Sequence, residues 1–542
     1  DIDLASTLHK ERNKQGYTQT IASSGKAAVT GNQGTLSMEA GRDIRMQAAA
    51  ASSAGNIAMK AGRDITMGTA AVKKDTAVTW DGNNYRHDSA ARDIGSAVTA
   101  KGSLTMQSER DISIKAADIR SEGMTAVEAG RNLTVENGKE ITDLEEHHRH
   151  KERSLLSSTT TTTHDEVHAV KAQKSIIEGN TVSIEGGKDI SLTGSAAAST
   201  KETALSAGRN ISIHAAEETD KEIHKKQVKK SGLIGSGLGF TIGSEKKKDS
   251  YDTEETMQAG STVGSVKGNV TIHAGQTASV RASDIIAGKD TLITGRNVDI
   301  ESKDNIYRGK EEHEYKKSGL TVSLGGAAVN AARTVAAPVK RAGEVGDGRL
   351  KALYALQAGM NARDIQKNQK TDKAINKNNA VGINISLGST GWKDHAETVT
   401  EETKGSTVTA GKTAAVIAKE DMTVKGSIVN AKDILLKAGN NIHILSSENK
   451  RTTIEDYKAK SGSIGAFLSK GVYGIGASYG KGKGQIEETT LTHTPSDITA
   501  KNTVALSSGN DTVIRGGTVR GNKVTANAGR MSIESEQDKK NY

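Results

Sequence analysis

Short pairs of aliphatic residues, each pair split by one polar residue, recur along the chain at a constant spacing. Ile57 and Met59 are followed eight positions later by Ile65 and Met67. The same offset separates Val182 and Ile184 from Ile190 and Leu192, and Ile434 and Leu436 from Ile442 and Ile444. Because alternate residues of a strand point to the same side, each pair predicts a short strand with one buried face.

Turn residues link these pairs. Glycine with a basic residue and Asp or Asn recurs in AMKAGRDITM (58–67), AVEAGRNLTV (126–135), SIEGGKDISL (183–192), ALSAGRNISI (204–213) and LLKAGNNIHI (435–444). Gly41 and Gly62 lie 21 residues apart, as do Gly187 and Gly208. The pattern predicts an all-β fold, a right-handed parallel β-helix in which coils of roughly 20 residues stack as a solenoid. Hairpins packed in sandwiches are the alternative, but they do not account for the constant offset of eight.

The repeat is interrupted several times, and long insertions commonly project from a fold and carry function. We expect coils at 1–143, 171–216, 261–302, 406–449 and 493–542, a polar insertion at 144–170, glycine-rich hairpins at 217–260 and 450–492, and a hairpin and helical insertion at 303–405. A smaller excursion lies near 80–91. The 303–405 insertion also contains apolar residues at helical spacing, which predict one short helical excursion. These residues are Leu350, Leu353, Tyr354, Leu356 and Met360.

The insertions share a plan: a charged segment leads out, a glycine-rich apolar strand follows, and an acidic, threonine-rich segment leads back. This order predicts protruding β-hairpins with oppositely charged strands. Their alternating faces contain the candidate contact residues, which are Leu238, Phe240, Ile242, Leu320, Val322, Leu324, Val381, Ile383, Ile385, Leu387, Trp392, Phe467 and Tyr473. Such faces either lie back on the coils or form an adhesive or membrane-seeking surface.

The composition and charge of the chain exclude several classes of function. The chain has 542 residues, 3% aromatic residues, no cysteine and a net charge of +9. Disulfides and thiolate sites are therefore excluded. Acidic residues are interleaved with the basic ones, so no nucleic-acid partner is expected. No apolar run is long enough for a membrane-spanning helix, and the absence of a signal segment after Asp1 suggests an internal piece of a longer protein.

No catalytic or metal site stands out. His147, His148 and His150 have no second ligand pair at zinc-like spacing, and a solvated loop is favoured. The corner residues Asp64 and Asn210 are interpreted as turn residues rather than calcium ligands. We therefore expect a protein that is not an enzyme and has no cofactor, although a polysaccharide-active β-helical enzyme and a purely structural spacer remain alternatives.

The AGRDI and AGRNL phrases, together with KSGLIGSGLGFTIGS and YDTEETMQAGSTVGSVKGNVTIHAG (251–275), resemble the haemagglutinin repeats of filamentous haemagglutinins and contact-dependent growth-inhibition exoproteins. The resemblance implies a secreted filament at the bacterial cell surface, exported by an outer-membrane two-partner secretion transporter. It also implies adhesion to a host or neighbouring cell, with the target-cell surface or outer membrane as partner and toxin delivery in one branch. No obligate oligomer is expected.

Overall fold

The fold is all-β wherever the chain is described. A computed structural model describes residues 1–235, 239–325, 382–469 and 472–542, and none of these residues is helical. The helical excursion predicted at 350–360 lies outside the described residues. The strands form three sheets, two of them parallel and one antiparallel.

The first parallel sheet has 13 strands stacked in chain order. Its strands are Ile2–Ala5, Ile44–Gln47, Ile65–Gly68, Ile112–Lys115, Leu133–Glu136, Ile190–Thr193, Ile211–His214, Thr277–Arg281, Asn297–Glu301, Met422–Lys425, Ile442–Leu445, Asp511–Arg515 and Arg530–Glu534. Ile44 pairs with Ile65, and Ile112 with Leu133. Aliphatic residues therefore stack on aliphatic residues of the next coil, and each coil contributes one strand to this sheet.

The second parallel sheet has 20 strands, and most coils contribute two of them. Its strands are Lys26–Val29, Leu36–Ala40, Ala50–Ser53, Ile57–Ala61, Ala97–Ala100, Leu104–Ser108, Asp118–Ser121, Met124–Ala129, Ile176–Gly186, Ala196–Ala207, Thr262–Ser265, Asn269–Ala274, Asp284–Ala287, Thr291–Gly295, Thr407–Ala410, Thr413–Ala418, Ile428–Ala438, Asp497–Ser508, Thr518–Arg520 and Lys523–Asn527. We call the two parallel sheets together the coil stack.

The core of the coil stack is the set of aliphatic pairs read from the sequence. Ile57, Met59, Ile65 and Met67 are each at most 1% exposed, and the other two sets are buried as well. One continuous cluster of Ile, Val, Leu, Met and Ala runs through the coils. Stacked aliphatic ladders supply this core without aromatic residues, in agreement with the low aromatic content.

The third sheet is antiparallel and also has 13 strands. Its strands are Thr7–Asn13, Gly16–Ser23, Ala70–Asp81, Asn84–Ile94, Gly138–Arg153, Ser157–Gln173, Ala216–Gly235, Gly239–Ala259, Lys303–Gly325, Gly382–Lys404, Ser447–Ser469, Val472–Thr494 and Lys539–Asn541. Consecutive strands form hairpins, which we call arms, and each arm pairs edge to edge with the next. We call this structure the arm sheet.

All arms leave the coil stack at the same corner, between a strand of the first sheet and the next strand of the second. In the intervening coils the corner is a tight turn with a residue in the left-handed region. The turn residues are Ala48 (φ 49°), Ala116 (φ 48°), Gly194 (φ 53°), Ala282 (φ 48°), Gly426 (φ 55°) and Gly516 (φ 62°). Arms and tight turns therefore alternate from coil to coil.

This alternation explains why the arms pair with one another. Neighbouring strands lie about 4.8 Å apart, so two coils advance by roughly 9.6 Å. An arm contributes two strands, which occupy the same width. The arm sheet thus grows in step with the coil stack, at one strand per coil, and in the described residues it is a sheet separate from the other two.

A buried serine ladder supports the corner from which the arms leave. A serine stands directly before the second-sheet strand at Ser96, Ser175, Ser195, Ser261, Ser283, Ser406, Ser427 and Ser496, and all are at most 1% exposed. The Ser195 N–H donates to Ser261 Oγ at 3.1 Å, and Ser261 Oγ donates to the His214 carbonyl at 2.7 Å. At arm corners and tight turns alike, serine Oγ atoms of the ladder thus accept buried backbone N–H groups from the neighbouring coil.

Candidate functional site: the outer end of the arm sheet

Apolar residues form three rows across the outer end of the arm sheet. Directly paired residues of antiparallel strands share a face, so each row lies on one side of the sheet. The rows are Leu233, Ile242, Leu320, Leu387, Ile464 and Ala477; Phe240, Val322, Ile385, Ala466 and Ile475; and Leu324, Ile383, Leu468 and Tyr473. Successive rows are two positions apart along each strand, so all three occupy the same face.

These apolar rows are substantially open to solvent. Leu387 is 64% exposed, Ile464 67% and Ile475 88%. An exposed apolar area of this kind usually marks an interaction surface rather than packing. The rows are therefore the candidate site.

The opposite face at the same level is mostly small and polar, apart from the buried Ile234 and from Phe467. Its central row is Thr241, Thr321, Ser386, Gly465 and Gly476. The hydroxyls of Thr241 and Thr321 lie 2.9 Å apart, within hydrogen-bond distance. The two faces of the arm sheet therefore differ at its outer end, and the continuous apolar rows lie on one of them.

Glycines mark the inner boundary of the apolar rows. Gly243, Gly319 and Gly388 are paired across three neighbouring strands. A Cβ on Gly243 would lie only 2.0 Å from the carbonyl oxygen of Ser318. No side chain fits between the strands at this point, so glycine permits the arms to approach one another closely.

A cavity of about 660 Å³ lies just inside this boundary. It is lined by Lys151, Lys229, Lys230, Lys246, Lys316, Lys317 and Lys460, by Glu245, and by Ser158, Thr160, Ser231, Ser244, Ser318, Ser389, Thr390 and Gly391. We call it the lysine cavity. Lysine ammonium groups and hydroxyls are donors, so its lining suits an anion.

Closer to the coil stack the arm sheet contains a row of titratable groups in which Asp394 is buried and its neighbours are half-buried. His313 pairs directly with Asp249 on one side and with Asp394 on the other. His313 Nδ1 lies 2.9 Å from Asp249 Oδ1. Burial raises the pKa of the Asp394 carboxyl, and the nearby His313 offsets only part of that shift. The row lies on the face opposite the apolar rows.

The candidate contact residues divide between the two faces. Nine of them belong to the apolar rows: Phe240, Ile242, Leu320, Val322, Leu324, Ile383, Ile385, Leu387 and Tyr473. Trp392 and Phe467 lie on the opposite face, and the Trp392 ring stacks on Tyr315 with centroids 6.1 Å apart. Leu238 and Val381 lie outside the described residues.

Sequence reasoning missed six members of the rows, namely Leu233, Ile464, Ala466, Leu468, Ile475 and Ala477. The signal was present, because Ile464 and Leu468, like Tyr473 and Ile475, follow the same period-two alternation.

The histidines of the arm Gly138–Arg153 take part in local contacts. His147 stacks on Tyr85 with ring centroids 5.6 Å apart, and His148 contacts Trp80 at 5.3 Å. Among the residues that the structure describes, no group of three or more His, Cys, Asp or Glu side chains could hold a metal ion. None of those residues forms a helix long and apolar enough to cross a membrane.

The corner Asp and Asn residues act as turn residues that link coils. Asp189 Oδ1 accepts hydrogen bonds from the backbone N–H and the side-chain amide of Asn210, at 3.2 and 3.0 Å. Asn210 Oδ1 in turn accepts the N–H of Thr277 at 3.2 Å. Their oxygens are occupied by the neighbouring coil, as expected for a stacked turn.

Coils that pair only with neighbouring coils define a repeat protein. The chain belongs to the hemagglutinin repeat family, whose model matches residues 79–163, 154–319, 242–349 and 387–542. No solved structure matches the chain.

Three relatives illustrate the family. The chain is 33% identical over 476 residues to the 16S rRNA endonuclease CdiA of Enterobacter cloacae, which covers 84% of this chain and 14% of that protein. It is 30% identical over 446 residues to the tRNA nuclease CdiA of Yersinia mollaretii, covering 79% and 15%. It is 30% identical over 545 residues to the deoxyribonuclease CdiA of Dickeya dadantii, covering 98% and 16%. The chain thus corresponds to a small part of each relative's length.

Proposed function

We propose that this chain is a non-catalytic segment of a long secreted filament on a bacterial surface, and that the apolar rows contact the outer membrane of a target cell. The observation that carries the proposal is the outer end of the arm sheet. Three aligned rows from neighbouring arms present one continuous apolar face, while the other face is mostly small and polar. A sheet evolved only to cover the coils would have no reason to leave such a face open to water.

The free energy gained by burying the apolar rows supports a membrane as the surface that they contact. Fully burying an aliphatic side chain gains about 1.5–3 kcal/mol relative to leaving it in water. The rows contain many partly exposed side chains, among them Ile242, Leu387 and Ile475. Their summed gain is large enough to offset an association cost of about 4–15 kcal/mol.

The proposal assigns separate roles to the two parts of the fold. Coils, wound as a right-handed β-helix, give length and rigidity, and arms give contact. Export through an outer-membrane two-partner secretion transporter follows from the family resemblance. Several relatives are named as toxins or nucleases, and we assign this segment a part in toxin delivery by contact with the target envelope. No nucleic acid, cofactor or obligate oligomer enters the proposal.

The test removes apolar surface without altering the coils. Ile242→Ser, Leu320→Ser, Leu387→Ser and Ile464→Ser are combined in one variant. The control variant replaces four exposed apolar residues of the coil stack, Met124, Val266, Ile286 and Ile428, by serine. Binding to outer-membrane vesicles is expected to fall at least tenfold in the first variant and to stay within twofold in the control. Equal binding by both variants would favour a spacer.

A polysaccharide-active enzyme is a second candidate because one cavity combines carboxylates with aromatic rings. Glu311, Glu455, Tyr251 and Tyr307 line a cavity of about 340 Å³ on the arm sheet. Paired carboxylates are the usual machinery of glycoside hydrolysis. Release of reducing ends from acidic polysaccharide, abolished by Glu311→Gln or Glu455→Gln, would establish this candidate in place of the first.

A further inference from the structure

The lysine cavity concentrates positive charge at one place on the arms. Seven lysines and one glutamate line it, and the strand register places five of the lysines, Lys151, Lys229, Lys246, Lys316 and Lys460, on the face that carries the apolar rows. Lys230 Nζ lies 3.7 Å from Glu245, and Glu314 pairs both with Lys246, at 3.3 Å, and with Lys316. Lys151, Lys229 and Lys460 form no ion pair with any residue that the structure describes. The positive charges therefore outnumber the negative ones, and clustered like charges repel unless an anion joins them.

The position of the cavity relative to the apolar rows is fixed by the strand register. Lys229, Lys246, Lys316 and Lys460 lie four positions inward from Leu233, Ile242, Leu320 and Ile464, respectively. An even offset places them on the face that carries the apolar rows, and four positions span roughly 13 Å. Lysines thus border the apolar surface from the coil side, as they do where a protein meets the polar boundary of a bilayer.

The chemistry of the lining favours phosphate. Ammonium groups are joined by the hydroxyls of Ser231, Ser244, Ser318 and Ser389, which lie on the same face and donate to phosphate oxygens. No aromatic side chain lines the cavity, so the stacking platform typical of single-stranded nucleic-acid sites is missing from it. A volume of about 660 Å³ lies in the range of small-molecule sites and accommodates a phosphorylated head group.

We infer that the lysine cavity binds the phosphorylated head groups of lipids in the membrane that the apolar rows enter. This inference rests on the proposed function, which supplies the membrane. The apolar rows give attachment, and the lysines favour lipids whose phosphates carry a net negative charge, which the zwitterionic head group of phosphatidylcholine does not.

Vesicle binding by the full chain tests the inference. The vesicles are phosphatidylcholine alone, phosphatidylcholine with phosphatidylglycerol, and phosphatidylcholine with diphosphorylated lipid A. Binding is expected to be at least tenfold tighter with lipid A than with phosphatidylcholine alone, and the difference should shrink as salt rises. Equal affinity for all three compositions would overturn the lysine cavity as a lipid site, while leaving membrane contact through the apolar rows intact.

Two variants that lose the same number of lysines distinguish binding at the lysine cavity from general electrostatic attraction to the vesicle. The first variant carries Lys229→Gln, Lys246→Gln, Lys316→Gln and Lys460→Gln. The control carries Lys60→Gln, Lys101→Gln, Lys188→Gln and Lys267→Gln, all at exposed positions of the coil stack. The first is expected to lose roughly tenfold in affinity for lipid A vesicles, while the control changes by less than threefold. Equal losses in the two variants would contradict the inference.

Titration with pyrophosphate distinguishes lipid from a free anion. Weak binding of pyrophosphate that is lost in the first variant, together with preference for lipid A vesicles, supports the inference. If pyrophosphate binds and no vesicle does, the cavity holds a free anion, and both the lipid assignment and the proposed function fail. If neither pyrophosphate nor any vesicle binds, both are likewise overturned.

Discussion

Leu320 and Ile242 lie directly opposite each other although they belong to different arms. Both side chains are more than one third exposed. This pairing shows that the arms act together, because the apolar surface is assembled from neighbouring arms rather than from any single one. The spacing of the coils is what aligns them.

Breaking a backbone hydrogen bond between neighbouring arms should destabilise only the outer end of the arm sheet. Thr321 sits in an interior strand and pairs with Thr241 and Ser386. Thr321→Pro removes a ladder donor, and leaving its acceptor unpaired costs about 1–3 kcal/mol. Hydrogen exchange should therefore quicken in the outer parts of the arms, while the coil strands keep their protection. Thr321→Ala serves as control, and faster exchange throughout the coil stack would show that arms and coils are not separable.

The tight turn at Gly194 should resist a side chain. Its φ of 53° is left-handed, and a Cβ there would lie 2.5 Å from the Cβ of Ala216. Gly194→Ala is expected to destabilise the local coil by about 1–2 kcal/mol from the backbone alone. Gly41→Ala is the matched control, since nothing lies within 4 Å of its added Cβ. Thermal unfolding of the two variants gives the comparison, and equal midpoints would contradict the strain.

Removing one serine of the serine ladder should destabilise the corner of the coil stack from which the arms leave. Ser261→Ala deletes a donor to the His214 carbonyl and an acceptor for the Ser195 N–H, both buried. The buried Ser195 N–H is left without a partner, which costs about 1–3 kcal/mol, while the His214 carbonyl keeps the N–H of Gly194. Ser206→Ala, at an exposed position, should be neutral. The measurement is protection of the 211–214 and 262–265 amides; unchanged protection in Ser261→Ala would count against the ladder.

Asp394 should make the arm sheet less stable as pH rises through the acid range. Its pKa is raised above the ordinary value of 3.8, chiefly by burial, so the folded protein holds the proton more tightly than the unfolded chain. Stability is therefore lost as pH rises from 3.8 through the raised folded-state pKa. Asn cannot ionise, so Asp394→Asn should raise the unfolding midpoint at neutral pH and have little effect below the ordinary pKa.

The control for that titration is Glu397→Gln, an exposed carboxylate on the same strand. It should leave the pH profile unchanged. If Asp394→Asn lowers the midpoint at neutral pH, the ionised carboxylate is stabilising and the assigned direction of the pKa is wrong.

The sequence predicted the coils well because their signal is local and repeated. The offset between Ile57 and Ile65, or between Ile434 and Ile442, is the length of chain from a strand of the second sheet to the next strand of the first. All four side chains are buried. Serines such as Ser261 were missed because a buried serine looks like a surface residue until its backbone partners are known. The left-handed alanines, such as Ala116, have no sequence signature at all.

The arms were predicted as hairpins, but their association was not. Alternation along Leu320 and Val322 reveals a strand and a face without revealing which strand lies beside it. That neighbour is set by the two-coil spacing, which is a property of the stack. For the same reason Trp392 and Phe467 were grouped with the apolar rows, although they lie on the other face.

The most direct test of the account asks which face of the arm sheet meets lipid. The chain has no cysteine, so one introduced thiol carries a unique environment-sensitive dye. Ala477 belongs to the first apolar row, and the adjacent Ser478 lies on the opposite face; both are exposed. With outer-membrane vesicles, dye on Ala477→Cys should shift to the blue and be quenched by acyl-chain quenchers, while dye on Ser478→Cys should remain in water. Equal responses at the two positions, or none at Ala477→Cys, would contradict membrane contact through the apolar rows.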